Sequence, residues 1–206
     1  MTTTTIQQLM QERKSVRKYK EGVVIPREQL QALLEQAITA PSSSNLQPWR
    51  FLVIEDQQVK KELRQISNDQ EQVETSSAII AVLGDLEMYK NAQQIYDANH
   101  EQGFMAREIA DLMIKNSHAL YGSLPLEKLT SLVHFDAGLI SMQIMLLAKD
   151  MGYDTVPMGG FDKVKFAEKF ELPKNEIPIL LIAIGEAAAP AYGSSRLPVE
   201  QVVRYI

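Results

Sequence analysis

Apolar residues recur at helical spacing in several parts of the chain. After Pro26 they stand at positions i, i+3, i+4, i+7 and i+8, namely Leu30, Leu33, Leu34, Ala37 and Ile38. This pattern predicts an amphipathic helix that begins near Pro26 and ends before Pro41. Comparable patterns predict helical structure over about residues 4–13, 59–66, 86–122 and 163–170.

Short apolar runs predict the strands. Residues 51–54, 78–83 and 179–184 are continuous apolar runs of strand length, and Thr155-Val156 predicts a further short strand. Gly84-Asp85 is expected to stop the second of these strands.

A long helix is predicted from Pro125 to about Lys149. Its second half is apolar on nearly all faces, so we expect a central buried helix. The most apolar segments, 137–148 and 177–184, are shorter than the ~20 residues needed to cross a bilayer. Because no internal repeat or linker divides the chain, we predict one α+β domain over residues 1–206.

The end of the chain has a different character. From Ala187 onward there is no periodicity, and Pro190, Gly193 and Pro198 interrupt the segment. A segment of this kind has little core of its own. We therefore expect the tail, residues 187–206, to lie across another subunit.

Composition narrows the class of protein. The 206 residues are 45% hydrophobic and 23% charged, with a formal net charge of −5. These values are typical of a soluble globular domain, and they exclude a fully disordered chain. The mild acidity argues against a nucleic-acid binder, which normally carries a basic stripe. No basic flank precedes an apolar stretch at the N-terminus, so we expect no signal peptide, no membrane contact and a cytoplasmic protein.

Missing residues and motifs exclude several kinds of chemistry. The chain has no Cys, which removes disulfides, thiolate zinc sites, iron–sulfur clusters and a Cys nucleophile. It also lacks the P-loop, the G-x-G-x-x-G fingerprint and the G-x-S-x-G elbow. His100, His118 and His134 are too far apart for an H-x-x-x-H zinc pair, so no metal site is predicted. If the protein is an enzyme, we expect a cofactor to carry the chemistry.

A cluster of cations follows the first predicted helix. In an extended segment Arg13, Ser15 and Arg17 point to one side. Two guanidinium groups and a hydroxyl on one face suit a phosphate and a second anionic or carbonyl group. The alternative is that Arg13 and Lys14 are basic residues at a helix C-terminus, which leaves Arg17 unexplained.

Two further segments carry candidate binding groups. The loop from Pro41 to Pro48 offers Ser, Asn and Gln side chains that can bond the polar edge of a flat heterocycle. The alternative is a plain polar connection, with Trp49 as a core anchor. Gly159-Gly160 allows a backbone N–H to approach a flat ring closely, although on the pair alone a tight turn between strand and helix is the better interpretation.

Four motifs in register resemble the FMN-dependent nitroreductase family over essentially the whole chain. They are R-x-S-x-R, P-S-S-x-N-x-Q-P-W, P-x-G-G-F and the closing S-R-L-P. The resemblance implies a three-layer α+β fold with a central, mostly antiparallel sheet flanked by helices. It also implies a homodimer with FMN sites at the subunit interface.

The resemblance also implies binding roles for individual residues. Arg13 and Ser15 are assigned to the phosphate and ribityl region, Arg17 to N1 and O2 of the ring, and Lys14 contributes through its backbone. A second phosphate arginine is Arg196, with Ser194 two residues before it. From the partner's loop, the resemblance implies flavin contacts by Pro41, Ser42, Ser43 and Asn45. It places Asn68 at the ring edge. Along the dimethylbenzene and N5 side it places Pro157, Met158, Gly159 and Gly160, with the Gly159 N–H near N5.

Two positions depart from the family pattern. Glu71 stands where some relatives carry a second cation, and Gly159 stands where relatives often have Glu. We expect flavin binding to survive both differences. Three aromatic residues are candidates for a substrate pocket, although each is more often plain core: Phe104, Tyr121 and Phe135.

The resemblance implies an enzyme that passes hydride from NADH or NADPH through flavin N5 to a flat electrophile such as a nitroaromatic or a quinone. No side chain is required to act as a general base or a nucleophile. Two other functions stay open: reductive dehalogenation or flavin destruction, which relatives of this fold perform, and storage or sensing of FMN without turnover.

Overall fold

The computed structural model describes residues 5–206, so residue 4, where the predicted N-terminal helix was expected to begin, lies outside that range. The helices are α1 (Ile6–Glu12), α2 (Arg27–Ala37), α3 (Gln57–Gln65), α4 (Glu71–Thr75), α5 (Ala92–Glu101), α6 (Arg107–Tyr121), α7 (Leu126–Asp150), α8 (Lys163–Lys169) and α9 (Val199–Val202). The strands are β1 (Trp49–Ile54), β2 (Ala78–Asp85), β3 (Asp154–Met158) and β4 (Glu176–Gly185).

The four strands form one antiparallel sheet in the order β1-β2-β4-β3. Every residue of β2 is buried, which explains its continuous apolar run, because a central strand covered on both faces has no solvent side. The strand continues through Gly84 and Asp85, so the predicted stop there is wrong. A Cβ at Gly84 would lie 2.0 Å from Val133 Cγ1, so glycine at this position lets α7 pack directly on the strand.

Helices cover both faces of the sheet and make three layers. Alternate residues of β2 point to opposite sides, as the two-residue period of a strand requires. Ile80 and Val82 pack with α2 and α7, whereas Ile79 and Leu83 pack with α3 and α8. The predicted α+β class and its central antiparallel sheet are confirmed.

The long helix α7 has two different apolar faces. One face is fully buried against the sheet through residues such as Val133, Ile140 and Ile144. The other face, with α1, lines a groove of about 700 Å³ that includes Leu139 and Met142. The helix is therefore central, as predicted, but one apolar face lies at the surface of the described chain.

The length and composition of α7 alone would also allow it to cross a membrane. A helix in a protein core meets the same two criteria. Nearly half of the most apolar stretch of α7 is buried inside the fold.

The tail from Ala187 starts beside the N-terminal segment and then leaves the core. Ala188 N–H donates to the Lys18 carbonyl at 2.8 Å. Beyond this point nearly all residues are exposed, including Tyr192 and Tyr205, at 77% and 92%. That exposure fits a segment whose packing surface belongs to another copy, but the expected contact with a second subunit stays a prediction.

Candidate functional site

A cationic cavity forms where the N-terminal segment meets the tail. Its volume is about 240 Å³, and it is lined by Arg13, Lys14, Ser15, Arg17, Tyr192, Gly193, Ser194 and Arg196. Four of these residues are cationic and none is acidic, although the whole chain carries a net charge of −5. The fold thus brings the R-x-S-x-R motif near the start of the chain and the S-R-L-P motif near its end to one site that suits an anion.

Pairing with β3 gives the N-terminal segment its extended shape. Ser15 bridges Thr155 in parallel fashion, and Val16 N–H donates to the Thr155 carbonyl at 3.1 Å. Val16 is buried, so its neighbours Ser15 and Arg17 turn the other way. The segment is therefore extended, which is the arrangement that would place Ser15 and Arg17 on one side.

The arginines of the cavity retain unused donors. Arg13 Nε is buried and has no hydrogen-bond partner within residues 5–206. Arg196 is held by its own tail, since Nη1 donates to Ser194 Oγ at 2.8 Å and to the Ser195 carbonyl at 2.7 Å. A buried guanidinium N–H without a partner is costly, and phosphate oxygens are well matched to such donors. The residues present therefore fit a phosphate group.

A second predicted part of the site lies at the end of β3. Asn68 Nδ2 and Gln70 Nε2 both donate to the Gly160 carbonyl, each at 3.0 Å. The structure thus brings Asn68 and Gly160 into contact, whereas the flavin contacts that the resemblance implies for them stay predictions. The contact of Gln70 with Gly160 was not predicted. The sequence signal that could have identified it is the position of Gln70 two residues after Asn68.

The geometry of the two glycines weakens the alternative of a simple tight turn. Neither Gly159 nor Gly160 has a positive φ, so the backbone does not require glycine here. A Cβ at Gly159 would meet nothing within 4 Å, whereas one at Gly160 would lie 3.2 Å from Asn68 Nδ2. Glycine at 159 therefore leaves open space beside the chain, which suits a flat ligand.

Met158 has a narrower role than the resemblance implied. Its side chain is buried, and its sulfur accepts from Gln72 Nε2 at 3.4 Å. It can therefore offer only backbone atoms to a ligand. Pro157 is half-buried.

The loop from Pro41 to Pro48 is held by three helices. Ser43 bonds Asp136 of α7, and the Ser44 hydroxyl lies 2.7 Å from the Tyr121 hydroxyl of α6. Tyr96 of α5 donates to the Ser44 carbonyl at 2.7 Å. These bonds fix the shape of the loop, and its predicted role as a flavin contact stays a prediction.

This loop does not reach the cationic cavity of its own chain. None of Pro41, Ser42, Ser43 and Asn45 lines that cavity. One chain thus presents the predicted flavin contacts in two separate places, and the expected completion of one site by the partner's loop stays a prediction.

The predicted substrate aromatics are not brought together. Phe104 and Phe135 are exposed, at 72% and 64%, and their role stays a prediction. Tyr121 is buried in a hydrophobic cluster, as the alternative of a plain core residue predicted. Its hydroxyl bonds the Ser44 hydroxyl of the loop. Trp49 is likewise buried, as the core-anchor alternative predicted.

The departure at Glu71 has a compensating charge. Lys18 forms an ion pair with the Glu71 carboxylate, so the negative charge of Glu71 is paired. This pairing could not be read from the sequence, because the two residues are 53 positions apart. No cluster of three potential metal ligands occurs in the described part of the chain.

An antiparallel sheet between helices, a cationic cavity and an open Gly159-Gly160 segment together suit the binding of a phosphorylated flat ligand. The sequence profile of the Nitroreductase family matches residues 10–186. YdgI of Bacillus subtilis (strain 168), named as an NAD(P)H nitroreductase, is 41% identical over 205 residues, which is 98% of each chain.

Two solved structures are similar over the full chain. A nitroreductase in complex with FMN from Exiguobacterium sibiricum has a TM-score of 0.94 and 39% identity, covering 100% of this chain and 99% of its own. An NAD(P)H:FMN oxidoreductase from Staphylococcus epidermidis has a TM-score of 0.94 and 36% identity, covering 100% of both chains. The names of all three relatives give their activity as provisional. The chain belongs to the nitroreductase family, as its four motifs predicted.

Proposed function

We propose that this protein is an FMN-dependent NAD(P)H oxidoreductase that reduces flat electrophiles such as nitroaromatics and quinones. The observation that carries the proposal is the cationic cavity, which both Arg13 and Arg196 line. The FMN complex of a relative 39% identical to this chain supports the choice of cofactor.

The chain's own residues supply position and charge. Arg13, Ser15, Ser194 and Arg196 hold the phosphate end, and Arg17 faces the N1 and O2 edge of the ring. Asn68 and the Gly159-Gly160 segment would contact the ring, with the Gly159 N–H donating toward N5. When bound, FMN accepts hydride from NADH or NADPH and passes it to the second substrate. Since the cofactor supplies the reactive atom, no side chain needs to act as a base or a nucleophile.

The active form is proposed to be a homodimer. The apolar face of α7 and the exposed tail are two surfaces that one chain leaves uncovered. A twofold arrangement would cover both and would place each Ser42–Asn45 loop at the partner's flavin, giving two equivalent sites. In this proposal the chain is a single domain whose tail wraps over the partner. The dimer is a cytoplasmic protein that does not contact a membrane.

Steady-state turnover tests the enzyme against the alternative of FMN storage. The FMN-loaded protein is supplied with NADH or NADPH and with a quinone or a nitroaromatic acceptor. An enzyme of this type should oxidise the nicotinamide only when the acceptor is present, with parallel double-reciprocal lines because the donor leaves before the acceptor binds. A protein that holds FMN but shows no turnover with either donor supports storage.

A further inference from the structure

The loop after Pro41 adopts a strained backbone. Ser44, Asn45 and Gln47 have φ values of 48°, 55° and 49°, in the left-handed region that L-residues other than Asn and Asp rarely enter. Asn45 tolerates this conformation, but Ser44 and Gln47 on either side of it cost conformational energy. Strain of this kind persists only where the surrounding structure imposes it, and it is typical of functional segments.

The entry to this loop is fixed by a buried carboxylate. Ser43 N–H donates to both oxygens of Asp136, at 3.0 and 3.1 Å, and Ser43 Oγ donates to Oδ1 at 3.1 Å. Asp136 is fully buried in α7. Ser43 is its only hydrogen-bond partner within residues 5–206, and no cation pairs with it there.

A buried carboxylate with no cation is expensive to maintain. Hydrophobic packing would serve the core of α7 better, so the residue is best explained by what it holds. The two tyrosines that bond Ser44 secure the middle of the loop, whereas Asp136 secures the residue immediately before the first left-handed position. Without this anchor the loop is free to relax toward ordinary backbone angles.

We infer that Asp136 is a positioning residue, which holds the Ser42–Asn45 loop in its strained shape so that the loop is ready to pack on the partner's flavin. The inference rests on the proposed function, because the loop is a flavin contact only in that reading. The loop is then ordered before FMN binds, which lowers the ordering cost of binding.

Three variants separate this role from simple stability. Asp136→Ala removes the anchor. Asp136→Asn keeps it, since the amide oxygen can accept from Ser43 N–H while the amide nitrogen donates to Ser43 Oγ. Ile144→Val trims a fully buried residue of the same helix that makes no hydrogen bond to the loop, and it serves as the control for loss of stability alone.

Two measurements are made on each variant. Hydrogen exchange of the FMN-free protein reports protection at the amides of Asn45, Leu46 and Gln47. Titration with FMN reports Kd. Asp136→Ala should lose protection at these amides and bind FMN about 10- to 100-fold more weakly, which corresponds to about 1.4–2.7 kcal/mol. Asp136→Asn and Ile144→Val should stay within about threefold of the parent Kd, since neither removes a loop contact.

The outcomes distinguish the two proposals. Unchanged exchange and unchanged Kd in Asp136→Ala overturn the positioning role while leaving the oxidoreductase intact. Equal losses in Asp136→Ala and Ile144→Val also overturn it, because stability alone would then explain both. Failure of the parent protein to bind FMN overturns the proposed function, and with it the purpose assigned to the loop.

Discussion

Loss of the Arg13 side chain tests the phosphate assignment in depth. Arg13 and Arg196 line the same cavity, and Arg13 Nε is a buried donor without a partner in the described chain. A hydrogen bond to a charged group contributes about 1.5–3 kcal/mol net, which is roughly 10- to 150-fold in Kd. Arg13→Ala and Arg196→Ala should each weaken FMN binding by about that factor. Riboflavin, which has the same ring but no phosphate, should bind both variants as it binds the parent protein.

The assay is a fluorescence titration of each variant with FMN and, separately, with riboflavin. Arg27→Ala is the matched control, because Arg27 is exposed, pairs with Glu55 at 2.7 Å and does not line the cavity. It should leave both affinities unchanged. Equal losses for FMN and riboflavin in the Arg13 variant would refute the reasoning, since they would show that the arginine supports the fold or the ring and not the phosphate.

Three further outcomes are expected. Arg17→Gln should still bind FMN but lower its two-electron potential by roughly 30–60 mV, equivalent to a 10- to 100-fold loss of preference for the anionic reduced cofactor; an unchanged potential by dye equilibration would withdraw the role at N1. Deletion of residues 190–206 should give aggregated or flavin-free protein by size-exclusion chromatography, and a stable yellow monomer would contradict the dimer. Burial raises the pKa of Asp136, so the folded state binds a proton more readily than the unfolded state does. The unfolding free energy of the parent should therefore increase relative to that of Asp136→Asn as pH falls from 7 toward the unfolded pKa of about 3.9. Parallel urea-unfolding profiles of the two proteins across this range would argue against a buried, titrating carboxylate.

Local pattern was sufficient to predict most of the elements. The i, i+3, i+4 spacing identified α2, and the continuous apolar runs identified β1, β2 and β4, because these signals depend on neighbouring residues alone. The end of β2 was wrong for a tertiary reason. Gly84 and Asp85 read as a turn in sequence, but α7 packs against the glycine, and Arg50 and Asn175 bond the aspartate.

The candidate site was predicted by motif and not by local pattern. R-x-S-x-R and S-R-L-P carry no sign of proximity when each is read by itself, and only the family resemblance joined them. Residues that act through long-range contacts were missed. Asp136 bonds a residue 93 positions away and Gln70 bonds one 90 positions away. The sole sequence signal for Asp136 is a charged residue within an otherwise apolar stretch of α7.

Anaerobic reduction of the bound cofactor tests the central claim most directly. The protein is loaded with FMN, freed of excess ligand and mixed with NADH or NADPH in the absence of oxygen while the visible absorbance of the flavin is followed. The account predicts that at least one donor bleaches the flavin rapidly and that a quinone added afterwards restores the colour. A yellow protein that neither donor bleaches would contradict the account, because it would bind FMN in the assembled site without passing hydride through it.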